Sequence, residues 1–274
     1  PINKNVAKAV EELHLGLGVG SQRAMIEKPD LAPTYMVRDV APSCFLAGNI
    51  GVYQLKNYET GQLEEMLSLI GADALAVHLN AAQEAVQKEG DTDFSDCVAA
   101  IDRVARKLSV PVYVKEVGHG ISLEVAKKLS KTAIAAIDVQ GVGGTSWTAI
   151  EGLRGNPEVG KTFWNFGIPT AVSIVLVKKA FKGPVIASGG IRNGLDVAKS
   201  LVLGADLASM AIPALQAQNT GGSDGVKKRL GTVLEEVRIA CYLLGCKNLA
   251  ELKKQKPILT GKTRDWLEQI LEKG

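Results

Sequence analysis

The sequence predicts an α/β fold, a (β/α)₈ TIM barrel in one domain over 1–274, and two observations carry that expectation. Short apolar runs ending in Gly, Ser, Asn or His alternate with amphipathic helical stretches along the 274 residues. Alternation of that kind builds a parallel sheet. Polar residues also recur at the ends of the apolar runs or just beyond them: Ser21, Asn49, His78, Lys115, Gln140, Thr145 and Ser188. In a barrel those ends converge on one face, where an active site lies. A barrel is therefore preferred to a doubly wound sheet.

The opening segment, "PINKNVAKAVEELHLG", reads as a helix, because Val6, Val10 and Leu13 recur at helical spacing. It starts at Pro1 without Met and already inside that pattern, so a native segment carrying the N-terminal strand is expected ahead of it. Seven candidate strands follow: "LGLGVG" before Ser21, "CFLAGNI" around Asn49, "ALAVHLN", "PVYVKEV", "AIAAIDVQG", "PVIASGG" and "LASMAI". The missing N-terminal strand would be the eighth. Between several of them lie "GQLEEMLSLIGA", "DCVAAIDRVARKLS", "SLEVAKKLS" and "GLDVAKSLVLGA", each closing near Gly or Ser as helices do before a strand. Two insertions break the rhythm. "EGLRGNPEVGKTFWNFGIPTA" (151–171) is expected to be a lid, and "QAQNTGGSDGVKKRL" (216–230) a surface connection to C-terminal helices.

Composition excludes several classes. With 46% hydrophobic residues and 29 glycines the chain can bury one large core. A net charge of +3, with Lys and Arg dispersed among acids as in "ELKKQK", argues against nucleic acid. No apolar run approaches the roughly 20 residues of a membrane helix, and no secretory signal is visible, so a cytoplasmic protein is expected. Cys44, Cys97, Cys241 and Cys246 are too few and scattered for a disulfide framework and read as free thiols.

The motifs point to anion binding. "ASGGIRNGLDVAK" ends a strand at Gly189-Gly190, where backbone N–H groups can approach an anion, and Arg192 adds a cation. The next strand ends at Ala211-Ile212, where a helix can start. Paired loops at the last two strands are where barrels hold phosphate, and a ligand-free tight turn is the alternative. Lys115 near the end of "PVYVKEVG" is a cation for an anionic cofactor or substrate, or else a partner of Glu116 or Asp138. Gly143, Gly144 and Thr145 in "DVQGVGGT" allow another close approach. Ser21, Gln22 and Arg23 suit a phosphate or diphosphate, or a helix cap with a surface arginine. In "HLNAAQE", Glu84 is either a Mg²⁺ ligand shared with phosphate oxygens or a charge at a helix N-terminus. His14 and His119 read as structural.

Together "GSQRA", "GNIG", "HLNAAQE", "VKEVG", "GVGGTSW", "FWNFGIPTA" and "ASGGIRNGLDVAKSLVLGAD" resemble type 2 isopentenyl diphosphate isomerase, the FMN-dependent kind, in order over residues 16–213. The resemblance implies an FMN-binding barrel with Mg²⁺, a diphosphate substrate and NAD(P)H as reductant of the flavin. It places Ser21, Asn49, Lys115 and Thr145 at the flavin, and Gly190, Ile191, Arg192, Ala211 and Ile212 at its phosphate. Ser21, Gln22, Arg23, His78, Asn80 and Gln83 would face substrate, and Glu84 would bind Mg²⁺. Lys115, His78 and Gln83 are the implied catalytic side chains. The family often forms tetramers, so a homo-oligomer is expected. The implied reaction is a 1,3-proton shift between isopentenyl and dimethylallyl diphosphate, with reduced FMN as acid–base catalyst. His78 is the one side chain in the mouth with an ordinary pKa near neutrality, and it is assigned to the diphosphate. An N-terminal Arg-Lys motif and a Gly-rich first-strand loop of the family are absent and are expected ahead of Pro1. An FMN-dependent 2-hydroxy-acid oxidase or dehydrogenase is the alternative, although no "HGGR"-like segment follows the sixth strand. A non-catalytic binding barrel fits the polar strand ends poorly.

Overall fold

Each of the seven apolar runs forms a strand in the computed structural model, which describes residues 1–272. They are β1 (Leu17–Gly18), β2 (Leu46–Gly51), β3 (Ala74–His78), β4 (Val112–Lys115), β5 (Ala136–Asp138), β6 (Val185–Ala187) and β7 (Leu207–Ala208). All pair in parallel and in chain order. Helices cross between strands, as parallel pairing requires. The fold is that of an α/β barrel. Among the described residues β1 pairs only with β2 and β7 only with β6, so the expected eighth strand has no counterpart here. The helix Ile2–Glu12 packs against the long helix Ile212–Leu243, and Lys227 of that helix is ion-paired with Glu12.

Alternation along the strands separates two layers. Leu46, Ile50, Leu75, Val77, Val112, Val114, Ile137 and Val185 are buried beneath the helices. They belong to one cluster with Leu63 and Leu67 of the helix Thr60–Ile70 and Ile101 and Val104 of the helix Cys97–Lys107. Each such Leu or Ile contributes roughly 1.5–3 kcal/mol by leaving water. The other face of the same strands carries Asn49, His78, Tyr113, Lys115 and Asp138. Register fixes their order around the barrel, with Gly51 opposite His78, His78 opposite Lys115, and Lys115 opposite Asp138.

The two insertions differ from the sequence expectation. Segment 151–171 is partly helical: Glu151 to Arg154 complete the helix Trp147–Arg154, and Pro157–Thr162 forms a second. These helices touch at glycines, where a Cβ on Gly152 would lie 2.4 Å from the Gly160 Cα. Apart from the link 155–156, loop is confined to 163–169, which exposes Phe163, Trp164 and Phe166. The predicted surface connection 216–230 runs as helix inside Ile212–Leu243, interrupted at Gly221 and Gly222, where Gly222 has φ 57°. Polar composition suggested a loop, but Val226 and Leu230 are buried and hold the segment helical. No described helix is long and apolar enough to cross a membrane.

Candidate active site

The strand ends form an arc of polar side chains. Asn49 Nδ2 donates to the Val19 carbonyl at 3.0 Å, which orients its amide so that Oδ1 faces His78 Nδ1 at 2.9 Å. An amide oxygen can only accept, so His78 carries its proton on Nδ1 and presents a lone pair at Nε2. Burial, and then the charge of Lys115, push the His78 pKa down to about 3. His78 is thus a neutral imidazole over the physiological range, although its ordinary pKa lies near neutrality. At the far end of the arc Asp138 is buried and accepts from Ser188 Oγ at 2.5 Å.

Lys115 lies between them, half-buried. Its Nζ donates to the Glu116 carbonyl at 2.9 Å, and it is ion-paired with no carboxylate among the described residues. The two acids that sequence offered as partners are engaged elsewhere. Glu116 Oε2 accepts the backbone N–H groups of Val117, Gly118 and His119 at 2.7, 2.9 and 2.7 Å, and Asp138 is held by Ser188. Burial lowers the Lys115 pKa while Asp138 and then Glu116 raise it. A half-buried ammonium bonded to one carbonyl and to no carboxylate is costly and suits an anion arriving in the mouth.

The rim contains the segment 78–84. Gln83 Nε2 donates to Glu151 Oε1 at 2.9 Å, and Arg154 reaches the same carboxylate at 3.0 Å. Glu151 is 2% exposed, so Gln83 is fixed by a buried acid that the sequence reading missed. Its one sequence signal is its place on the inward face of the helix, one turn beyond Thr148. Glu84 is also buried, with Oε1 accepting from Asn80 Nδ2 at 2.7 Å and Oε2 from the Asp91 N–H at 2.9 Å. Asn80 is thereby committed to Glu84. No cluster of three metal-ligating side chains occurs among the described residues.

The segment 21–23 divides. Ser21 lies three residues beyond β1, and its carbonyl accepts from the Tyr35 hydroxyl at 2.7 Å. Arg23 is exposed, bonded to Glu27 at 2.7 Å. Gln22 is a correction. It is fully buried, its Oε1 accepts the Asn49 N–H at 3.0 Å, and its Nε2 points to the Met66 carbonyl behind the sheet. Gln22 braces β2 and cannot face a substrate.

Backbone builds the opposite wall. Gly189 and Gly190 have φ of 94° and 81°, and a Cβ on Gly190 would lie 2.5 Å from the Gly143 carbonyl oxygen. Loops 141–145 and 188–192 thus press against each other. Thr170 clamps them by donating to the Gly189 carbonyl at 2.6 Å, which gives the "GIPTA" motif a structural role. Arg192 spans the same loops through the carbonyls of Gly190 and Gly143, at 2.8 and 2.9 Å. Among the described residues no protein acceptor takes the N–H groups of Gly190, Ile191, Met210 or Ala211. Such unpaired donors, close to the start of the helix Ile212–Leu243, fit a phosphate. Thr145 lines a cleft beside them with Gly118, Gly144, Trp164 and Asn165.

Residues 52–258 match the family model for FMN-dependent dehydrogenase. The isopentenyl-diphosphate delta-isomerase of Pyrococcus furiosus is 44% identical over 99% of this chain and 71% of its own length. That of Thermococcus kodakarensis is 46% identical over 99% and 75%, and that of Methanosarcina mazei 44% over 98% and 75%. The chain belongs to the isopentenyl-diphosphate delta-isomerase family. Among solved structures, Pediococcus acidilactici lactate oxidase superposes with a TM-score of 0.65 at 18% identity, covering 94% of this chain and 72% of that one. A mandelate oxidase gives 0.60 at 17%, covering 94% and 74%. At such identities these two establish a shared fold. Family membership makes FMN the cofactor to be tested against the geometry. The unpaired N–H groups beside two positive-φ glycines, and Lys115 with no carboxylate paired to it, fit its phosphate and its ring system.

Proposed function

We propose that the chain interconverts isopentenyl diphosphate and dimethylallyl diphosphate by a 1,3-proton shift, with reduced FMN and Mg²⁺. The observation that carries this reading is the proton inventory of the mouth. A redox-neutral proton shift needs an acid–base group, and two of the three side chains assigned to the reaction cannot cycle a proton near neutrality. His78 is held neutral, Gln83 cannot titrate, and Lys115 serves as a cation. Reduced FMN supplies that acid–base chemistry when bound, and NAD(P)H is needed only to reduce it.

The chain's residues then divide the remaining work. Gly190, Ile191 and Ala211 offer N–H groups to the flavin phosphate, with Ile212 at the helix start and Arg192 bracing the loops. Ser21, Asn49, Lys115 and Thr145 would hold its ring system. Asn49 locks the His78 tautomer, so Nε2 accepts rather than donates a hydrogen bond and can donate to a diphosphate only as an imidazolium. Gln83, fixed by Glu151, and Arg23 at the rim orient the substrate. Glu84, with free lone pairs beyond its two hydrogen bonds, would hold Mg²⁺ at the rim; one carboxylate suffices for that ion. Loop 163–169, bearing Trp164 and Asn165 over the cleft, is the part of 151–171 that covers the site. The apolar end of the long helix, with Tyr242 81% and Leu243 74% exposed, supports association into a homo-oligomer.

The oxidoreductase alternative needs a histidine base near the flavin after β5 or β6, and the histidines are His14, His78 and His119. The test is an absorption spectrum of the purified protein with and without reductant, combined with turnover assays. Flavin bands, and isomerisation only after reduction with Mg²⁺ present, are expected. Turnover with oxidised flavin, or oxidation of a 2-hydroxy acid, would refute the proposal.

A further inference from the structure

Asp138 is a buried acid at the mouth with no part in the function described above. It is 4% exposed, on the last residue of β5, directly opposite Lys115 in the β4–β5 register. Register partners on adjacent parallel strands project to the same side of the sheet, so both stand on the inner face. The carboxylate accepts from Ser188 Oγ at 2.5 Å and more weakly from the Gln140 N–H at 3.4 Å. That clamp turns it toward β6 and leaves Lys115 without a contact ion pair.

The charges facing Lys115 are few. From β3 comes His78, held neutral; on β4 is Tyr113, whose pKa burial pushes up, and just after it Glu116, whose carboxylate caps its own loop. Asp138, from β5, is the remaining group; burial pushes its own pKa up, and Lys115 and then the Ser188 hydroxyl oppose that rise. Of the acids that favour the charged lysine, Asp138 outweighs Glu116, and burial opposes both.

We propose that Asp138, clamped by Ser188, is a positioning residue that keeps Lys115 cationic yet unpaired, and so sets how strongly the site holds reduced FMN. The proposal rests on the reading of Lys115 as flavin-facing. An acid in direct contact would neutralise the lysine; an acid held one strand away sustains its charge without occupying its donors. Ser188 enforces that separation.

The holoenzyme's flavin midpoint potential, measured against redox dyes from pH 6 to 10, tests this. The wild-type plot should break where Lys115 loses its proton. Without the neighbouring anion the ammonium is less stable, so Asp138→Asn should move the break to lower pH by on the order of one unit. Asp138→Ser, uncharged but still able to bond Ser188, should do the same. In a Lys115→Arg background the break should vanish, and Asp138→Asn should then shift nothing. An unmoved break, or the same change in potential in the arginine background, would overturn the proposal. If Lys115→Ala leaves the potential unchanged at every pH, the flavin-facing reading itself fails, a result distinct from either.

Discussion

The two walls of the mouth are built from different material. From β2 to β5 the wall is made of side chains: Asn49, His78, Lys115 and Asp138, each fixed by strand register and one or two hydrogen bonds. From β5 to β7 it is made of backbone, with Gly143, Gly189 and Gly190 in close contact and the N–H groups of 190–191 and 210–211 unpaired. The first wall distinguishes charge and tautomer. The second distinguishes only shape, because peptide groups are the same at every residue. Isosteric changes should therefore be felt on the side-chain wall, and an added methyl on the backbone wall.

The largest expected effect is on the backbone wall. Gly190→Val adds a Cβ 2.5 Å from the Gly143 oxygen at a φ of 81°, and neither strain can relax without moving both loops. A loss of roughly 3 kcal/mol or more is expected, with colourless protein. Denaturant unfolding and bound-flavin absorbance measure it; a variant with wild-type stability and flavin content would erase the contrast between the walls.

An intermediate effect belongs to the side-chain wall. The folded His78 pKa of about 3 lies below the ordinary 6.5, so the unfolded chain binds its proton first as pH falls. The contribution of His78 is complete above pH 6.5 and is lost progressively between 6.5 and 3. Wild type should lose about 2 kcal/mol more than His78→Gln between pH 7 and pH 5. Unfolding titrations at the two pH values check this, and parallel losses would show that His78 is not held neutral.

Glu84→Gln should have the smallest effect. It removes the charge Mg²⁺ requires but keeps the shape, so the half-saturating Mg²⁺ concentration should rise about tenfold, near 1.4 kcal/mol. Magnesium titrations with pre-reduced flavin compare the two proteins. Coincident curves would reduce Glu84 to its bonds with Asn80 and Asp91.

Several elements were legible before any coordinate. The strands were, because runs such as "ALAVH" and "PVYVK" are apolar and β-branched and end in a polar residue, and burial on both sides of a parallel sheet demands that composition. The helix 216–230 was not, because its inward residues are only Val226 and Leu230 among glycines and polar residues. Gln22 and Gln83 show the same limit at the site. Each follows a strand within a motif of polar residues, yet one braces β2 from behind and the other meets Glu151 at the rim.

Sequence alone determined the order of strands and helices, the glycines after β5 and β6 and the presence of a lysine at the mouth. These depend on local periodicity and on which residues tolerate positive φ. Tertiary structure alone decided which polar groups remain free. Glu116 turns back to its own loop, Asp138 to Ser188 and Glu151 to Gln83, leaving Lys115 unpaired between them. The partners of Asp138 and Glu151 lie 50 and 68 residues away. No local pattern specifies such a pairing, because it follows from strand register and helix packing that only the closed fold brings together.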